Sequence, residues 1–441
     1  MSLRYEIIKD PVYGYTKIFE HELKIVNTPA FQRLRRVRQL PAAHYVYPGA
    51  THTRFSHSLG VMHISGMFVE TLLQPLFEAE KLDDDEFDYY YFLIRLWGLT
   101  HDLGHGPFSH TFDSEVLKEF RTNHELMSAR IAEEDKVISK IVGGLKRDFG
   151  ITADRLSECL AESREEWASK KRIGKTRHSE NAFYQILKGF YSTDIIDYLV
   201  RDNHYTGAGY GNFDWQRLIL SSLLFSNEVA LDVKAREALG AFLLSRLFMF
   251  ETVYYHRTSR AVEYVIRSFL GKAKEKIDFE KFVLKTDKYL TLDDESIFHI
   301  SALKSIPERK ALITRKIPYR QVAEKTVHLA DSLASIDGES IASSISDNIR
   351  STIPDYAYFV DTPNLKMNPM IGESHVCFID RRSRNPSVTH ESISKTSFGE
   401  IPYSVWSVRL YMHKKFKREE ERLRKAFNSI LEGETLATTH S

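Results

Sequence analysis

The stretch Thr100-His101-Asp102-Leu103-Gly104-His105-Gly106-Pro107-Phe108-Ser109-His110 constrains this chain more than any other. Apolar spacing predicts a helix over Phe92–Asp102, and Gly104-His105-Gly106-Pro107 stops it, because glycine and proline end helices. An imidazole and a carboxylate on adjacent residues at a helix end can ligate one cation. Gly104, Gly106 and Pro107 shape a tight loop that brings two further imidazoles nearby. A lone His-Asp pair is usually two solvated side chains, but three histidines within ten residues are rarely structural.

The rest of the chain limits what such a cluster can bind. Cys159 and Cys377 are the two cysteines, too few for a thiolate zinc site or a disulfide framework. A metal is therefore expected to take imidazole and carboxylate ligands, in a reducing compartment. His57 follows Arg54 by three positions, so a guanidinium and an imidazole share one helical face and can point into one pocket. Asp194, Asp197, Tyr198, Arg201 and Asp202 fall at i, i+3, i+4, i+7 and i+8, with Ile195, Ile196 and Leu199 opposite. By itself that pattern reads as an amphipathic helix with an i,i+4 ion pair.

Helical patterning dominates the first 300 residues. Residues 1–20 read as an extended segment with a turn. Thr28-Pro29 reads as an N-cap with proline at the first helical position, ahead of Phe31, Leu34 and Val37. Further helices are predicted at Arg54–Glu80, Thr111–Phe120, His124–Glu134, Ala182–Gly189, Thr193–Asn203, Asp214–Leu224 and Arg236–Phe269. Glu78, Glu80, Asp83, Asp84, Asp85, Glu86 and Asp88 read as a solvated acidic loop. Beyond residue 300 the periodicity weakens, with strand-like pieces at Tyr356–Val360 and Ser404–Tyr411. Ser332–Ser351 reads as a helix with loops, and Lys414–Lys425 as a charged, solvated helix. The expected fold is mainly α: a helical core over residues 1–300 with a short N-terminal extended segment, and a smaller α+β lobe over residues 301–441 ending in the charged helix.

Charge excludes one class of partner. The formal net charge of +1 argues against a bulk binder of nucleic acid or anionic membrane. No apolar run reaches the roughly 18–20 residues of a membrane span, and the first residues lack a signal-peptide core, so the cytoplasm is the expected location. The even total hides residues 23–69, which contain no Asp or Glu but carry Lys24, Arg33, Arg35, Arg36, Arg38 and Arg54. Anionic ligands are a natural expectation there. For Arg33, Arg35, Arg36 and Arg38 the plain alternative is a solvated helix face or intersubunit ion pairs.

The order His57, His101-Asp102, Asp194 resembles the ligand set of HD-domain metal-dependent phosphohydrolases. Asn27–Arg35, Pro48–Val61, His101–His110 with Phe112-Asp113, and Asp197–Asp202 narrow the resemblance to the deoxynucleoside triphosphate triphosphohydrolase branch, over roughly residues 5–270. The resemblance implies an HD-domain helical core and a divalent transition metal (Fe, Mn, Ni, Zn or Co) on His57, His101, Asp102 and Asp194, with Mg accompanying the nucleotide phosphates. Four ligands from separate segments imply a site formed only by tertiary folding. It further implies a catalytic cluster of His105, His110, Asp113 and His124. Within it His110, oriented by Asp113, suits the general acid because imidazole titrates near neutrality. Arg54 and Arg246 match phosphate-binding positions, and Gln39, Leu40, Tyr198, Asp202 and Tyr254 match positions that hold the sugar.

Gln32 and Arg35 match an effector-nucleotide site, where Asn27 stands in place of an aspartate that reads guanine, its amide still presenting a donor and an acceptor. The resemblance implies a nucleotide activator and a homo-oligomer, dimer or tetramer. The implied reaction is hydrolysis of a dNTP to the deoxynucleoside and inorganic triphosphate. Several positions depart from the animal member: on the substrate side Ile195 stands where it has a lysine, Phe250 where it has a histidine and Tyr255 where it has a glutamine, and Glu6 replaces a basic residue at the effector site. Lys188 or Arg257 is the expected replacement cation. The alternatives are the same chemistry on a nucleoside monophosphate, a cyclic nucleotide or a guanosine polyphosphate, or a nucleotide sensor or single-stranded nucleic-acid binder without catalysis.

Overall fold

The structure, a computed structural model, describes residues 4–161, 180–225, 228–329, 338–350, 352–366, 375–382, 388–392, 395–396, 399–400 and 404–433. The fold is mainly α, with small sheets. The extended N-terminus is a hairpin, Tyr5–Asp10 paired antiparallel with Gly14–Phe19. Asp10 shapes its turn by accepting hydrogen bonds from the backbone N–H of Val12 and Tyr13 at 2.8 and 3.0 Å. Thr28 caps the helix Pro29–Gln32 as the sequence predicts, its Oγ1 accepting from Phe31 N at 3.2 Å.

The helix Arg54–Glu78 runs through the middle of the core and is buried along most of its length, as a helix apolar on several faces must be. It packs on Asp84–Thr100 and is crossed by Thr193–Thr206. The polar face of Thr193–Thr206 turns inward rather than to solvent: Asp197, Arg201 and Asp202 are buried. The i,i+4 ion pair does form. Arg201 Nε and Nη2 donate to the two Asp197 oxygens, each at 2.9 Å, and Nη1 donates to Asp10 Oδ2 at 3.0 Å. Gly60 lets this pair approach the central helix, because a Cβ there would lie 1.9 Å from Asp197 Oδ1 and 2.3 Å from Arg201 Nη2.

Several segments differ from expectation, among them the strand-like Tyr356–Val360, which opens in a 3-10 turn over Asp355–Ala357 and is a strand only over Tyr358–Asp361. The acidic stretch is not a loop throughout: Asp83 caps the helix Asp84–Thr100, accepting from Glu86 N at 2.9 Å, and Asp84, Asp85 and Glu86 fill its first turn. Carboxylates at a helix N-terminus meet free N–H groups and the positive end of the dipole, which charge counting along a sequence does not reveal. The helix predicted at Asp214–Leu224 is Trp215–Leu220, after which the chain enters a strand, Ser222–Phe225. The long helix Arg236–Phe269 is broken: Arg236–Met249 passes into a π turn over Phe250–Tyr254, and a new helix, Arg257–Lys274, is capped by His256.

Ser222–Phe225 pairs antiparallel with Glu228–Asp232, which pairs in parallel with His375–Ile379, itself antiparallel to Val388–Ser392. A second sheet sets Ser404–His413 between Tyr319–Leu329 and Tyr358–Asp361. Helices Gly338–Ile349 and Glu420–Gly433 cover this sheet around Ile341, Ile345, Leu410 and Leu423. Of the serine-rich stretch, residues 332–337 and Ser351 lie outside the described residues. Lys414–Glu419 forms a 3-10 turn before the terminal helix.

Gly60→Ala is expected to destabilise the fold by about 1–3 kcal/mol or more, because buried backbone and a paired carboxylate must move. Urea unfolding of the variant beside the parent chain measures it, and an unchanged midpoint would contradict the close approach.

Candidate metal centre

The four predicted metal ligands converge from three segments: His57 from the first turn of Arg54–Glu78, His101 and Asp102 just after Asp84–Thr100, and Asp194 from the first turn of Thr193–Thr206. His57 Nε2 lies 3.1 Å from Asp194 Oδ1 and 3.6 Å from Asp102 Oδ2. His101 Nε2 lies 3.3 Å from Asp102 Oδ1 and 3.8 Å from Asp194 Oδ1. His57, His101 and Asp102 are buried, whereas Asp194 keeps 38% of its side chain exposed, which opens one side of the group.

Both imidazoles are oriented through the opposite nitrogen. His101 Nδ1 donates to the Gly98 carbonyl at 2.8 Å, and His57 Nδ1 meets Asp197 Oδ2 at 2.7 Å. That fixes the tautomer each ring adopts when neutral, with its Nε2 lone pair aimed inward. Both Nε2 atoms are buried without a hydrogen-bond partner. Two orphaned imidazole nitrogens facing two carboxylates are the donor set of a divalent transition cation.

Electrostatics agree. Burial alone would push the His57 pKa down, but Asp194, Asp197 and Asp102 outweigh it and raise it to about 10. Against burial, His101 and His57 hold the Asp194 carboxyl well below the usual carboxylate range. Arg54 does the same for Asp102, with His101 and His105. The group calls for positive charge at its centre, and a cation can take the place of the proton on His57.

The residues His105, His110, Asp113 and His124 form a second cluster whose ligand atoms lie within 4.8 Å of one another. His105 and His124 stack with centroids 3.9 Å apart, and His105 Nε2 reaches Asp102 Oδ1 at 3.3 Å, joining the two clusters. Burial and Arg54 push the His105 pKa well down, so its imidazole is neutral. Asp113 makes its close hydrogen bond with His124, while His110 Nδ1 stands 3.8 Å away with 74% of its side chain exposed.

Four of the predicted substrate residues, Tyr198, Asp202, Arg246 and Tyr254, contact one another. Arg246 Nη1 donates to Tyr198 Oη at 2.7 Å, Tyr254 Oη donates to Asp202 Oδ2 at 2.7 Å, and the Tyr198 and Tyr254 rings meet edge-on. Burial pushes the Tyr198 hydroxyl up to about 12 and the Tyr254 hydroxyl well above its ordinary value, so both stay protonated. Leu40 packs on the core, and the Gln39 Oε1 acceptor is buried without a hydrogen-bond partner. Arg54 is turned to the metal ligands: its Nη1 donates to Asp102 Oδ2 at 2.5 Å and its Nε to Ser109 Oγ at 2.8 Å.

Of the two cations considered opposite Ile195, Lys188 pairs with Glu125, and Glu125 and Asp194 raise its pKa against burial. Arg257 lines a different cavity of about 270 Å³ with Arg315, Arg320 and Lys414.

At the residues matched to an effector site, Gln32 Nε2 donates to Val26 O and its Oε1 accepts from Arg35 Nε, each at 2.8 Å. The Arg35 guanidinium covers the Phe55 ring, and Asn27 ends the helix Glu20–Val26. Arg33 is not on a solvated face: it is buried and donates to Leu292 O and Leu103 O. Arg36 pairs with Asp293 within the same chain.

Two supporting residues escaped sequence reasoning. His52 Nε2 meets Asp202 Oδ1 at 2.7 Å and fixes the carboxylate that Tyr254 contacts; its place in Thr51-His52-Thr53-Arg54 was the signal. Asp294 accepts from Phe108 N at 2.8 Å and Arg38 N at 3.0 Å. Phe108 and Ser109 have φ of 62° and 54°, a left-handed conformation that costs energy outside glycine, and Asp294 helps hold it. Burial pushes its carboxyl up to about 6. Nothing in the pattern around Asp293-Asp294 marks this role.

Residues 54–175 match the HD domain, and residues 213–382 match the HD associated region. The chain is an HD-domain protein. A crystal structure of a hypothetical protein from Aquifex aeolicus superposes on this HD-domain protein with a TM-score of 0.72 at 27% identity, covering 96% of this chain and all of that one. The uncharacterized protein YwfO of Bacillus subtilis is 29% identical over 276 residues, 61% of this chain and 56% of that protein. The deoxynucleoside triphosphate triphosphohydrolase SAMHD1 homolog of Dictyostelium discoideum is 28% identical over 308 residues, 68% of this chain and 55% of that protein. The chain thus spans about half the length of the curated relatives it matches. No helix among the described residues is long and apolar enough to cross a membrane.

Because His57 carries a proton in the metal-free protein, metal binding must release it. Between pH 6 and 9 the metal association constant is expected to rise about tenfold per pH unit, flattening above pH 10. Isothermal titration across that range tests it, and a pH-independent constant contradicts it. Asp197→Asn is expected to weaken metal binding about 10- to 100-fold without removing a ligand. Asp294→Asn leaves one backbone N–H without its acceptor and is expected to cost about 1–3 kcal/mol in urea unfolding.

Proposed function

We propose that this HD-domain protein is a metal-dependent phosphohydrolase that converts a deoxynucleoside triphosphate to the deoxynucleoside and inorganic triphosphate. The observation that carries the reading is the pair of orphaned, oriented Nε2 atoms of His57 and His101 facing Asp102 and Asp194, joined through His105 to the neighbouring histidine cluster. A relative named as a deoxynucleoside triphosphate triphosphohydrolase supports the substrate class.

His57, His101, Asp102 and Asp194 would hold an Fe, Mn, Ni, Zn or Co ion, with Mg accompanying the phosphates. The chemistry supplied by such an ion, when bound, is Lewis-acid polarisation and the acidification of water from a pKa near 16 to about 7. Water adds to the α-phosphorus and releases a proton to solvent, the bond from that phosphorus to the 5′ oxygen breaks, and His110 in its protonated form gives that oxygen a proton, to be reprotonated from solvent. His110 is the exposed member of its cluster, able to meet an incoming substrate, while His105, Asp113 and His124 form the polar wall behind it. Tyr198, Asp202, Tyr254, Gln39 and Leu40 receive the sugar, and Arg246 and Arg54 supply positive charge near the phosphates.

Asn27, Gln32 and Arg35 would take an effector nucleotide in a homo-oligomer, the chain working in the cytoplasm. Its division is a catalytic core over residues 1–300 and a C-terminal lobe over residues 301–441.

A second reading has its own observation. With Arg54 engaged by Asp102 and Ile195 buried, little positive charge is free to grip a triphosphate, which favours a nucleotide with fewer phosphates on the same chemistry. Metal-loaded protein incubated with a panel of dNTPs, NTPs, NMPs and cyclic nucleotides separates the two by product mass. Release of triphosphate is expected. Orthophosphate without triphosphate would overturn the first reading, and no turnover of any nucleotide would overturn both. Asp194→Ala is expected to abolish turnover, and His110→Ala to lower kcat about 10²- to 10⁴-fold.

A further inference from the structure

Away from the HD centre, among the described residues, one further group of metal-type donors comes together: Glu228, Cys377 and His390. They sit on three neighbouring strands, Glu228–Asp232, His375–Ile379 and Val388–Ser392. Cys377 and His390 face each other directly in antiparallel register. The parallel register sets Leu231 opposite Phe378 and Asp232 opposite Ile379, so alternation puts Glu228 and Ala230 on the face that carries Cys377. Ala230, Cys377 and Ile379, with Leu223, Phe225 and Val388, form a small apolar cluster there, separate from the main core. The donors therefore have an apolar floor, and His390 is exposed to solvent.

The spacing fits an ion. Each residue offers one ligand atom within 4.8 Å of the other two, and His390 Nε2 lies 3.4 Å from Glu228 Oε2. Ligand atoms around tetrahedral zinc, at roughly 2.0–2.3 Å from the metal, stand about 3.3–3.7 Å apart. The His-Glu pair already has that separation, and the rest is within reach of side-chain rotation. Burial and the Glu228 carboxylate push the Cys377 thiol up to about 12, so without a metal the thiol stays protonated beside the carboxylate. A divalent ion would reverse this, forming a metal–sulfur bond as the thiol proton leaves for solvent, with no change of oxidation state.

We propose that Glu228, Cys377 and His390 form a second metal site, for Zn²⁺ or a chemically similar divalent ion, with water completing the coordination. It ties two C-terminal strands to the strand that follows Ser222–Phe225, and so fastens distant parts of the chain. The scarcity of cysteine, which excludes an all-thiolate site, leaves room for this mixed one.

Cobalt(II) substitution tests the site selectively. The HD centre offers only nitrogen and oxygen donors, so a thiolate-to-cobalt charge-transfer band in the near ultraviolet reports a sulfur ligand alone. The full chain, stripped with chelator and titrated with Co²⁺, is expected to develop that band. Cys377→Ser should lose it while retaining cobalt at the HD centre, Cys159→Ala should keep it, and His390→Ala, at an exposed position, should weaken the titration at least tenfold. Absence of the band, or a band unchanged in Cys377→Ser or in His390→Ala, would overturn the proposal. If Cys377→Ser does not fold, the His390→Ala titration decides alone.

Discussion

Asp197 is the point on which both fold and site depend. It is buried, takes two hydrogen bonds from Arg201, and meets Nδ1 of His57. Arg201 continues the chain of charges to Asp10 in the N-terminal hairpin. Removing one partner from such a buried pair typically costs about 3–5 kcal/mol, because the charge left behind is uncompensated. The same contacts tie the hairpin, the central helix and the Thr193–Thr206 helix together and orient a metal-binding imidazole. Stability and ligand geometry are therefore set by one interaction, and Gly60 supplies the space for it.

A parallel arrangement supports the substrate end. Asp202 lies between His52 and Tyr254, and Tyr198 is held by Arg246, so side chains from separate helices are fixed relative to one another before any ligand arrives. The π turn over Phe250–Tyr254 falls where Tyr254 must meet both Tyr198 and Asp202. Such turns add a residue to a helix and shift the side chains that follow, and they recur at functional sites. On the other flank, Asp294 holds the positive-φ residues that carry the chain into His110.

What was legible in the sequence is what local chemistry encodes. Local chemistry marked the histidine cluster from His101 to His110, but His57 and Asp194 joined His101 and Asp102 as ligands only through the resemblance to HD-domain phosphohydrolases; the structure brings the four side chains together. The mainly α fold followed from apolar periodicity. Asp197 and Arg201 were visible as a polar face, but whether that face meets water or a glycine on another helix is a tertiary fact. Arg33 was hidden similarly, since its guanidinium is buried against carbonyls of Leu103 and Leu292, distant in sequence. The acidic stretch misled because Asp83 is a cap, and its neighbours complete a helical turn that begins before the apolar pattern does. The strand Ser222–Phe225 was overlooked because the sheet it belongs to is completed far along the chain: it pairs with Glu228–Asp232, whose other neighbour is His375–Ile379.

That last pairing has a consequence for how the protein is made. The strand Glu228–Asp232 finds its parallel neighbour only at His375–Ile379, roughly 140 residues later. At translation rates of about 5–20 residues per second, the gap lasts roughly 7–30 s. During that time the emerging chain has already exposed one edge of a sheet, with backbone donors and acceptors open to any other extended strand. The strands that close the edge lie in the last third of the polypeptide, so synthesis that stops early in that third leaves a helical core whose strand Glu228–Asp232, paired on one side with Ser222–Phe225, keeps its other edge open.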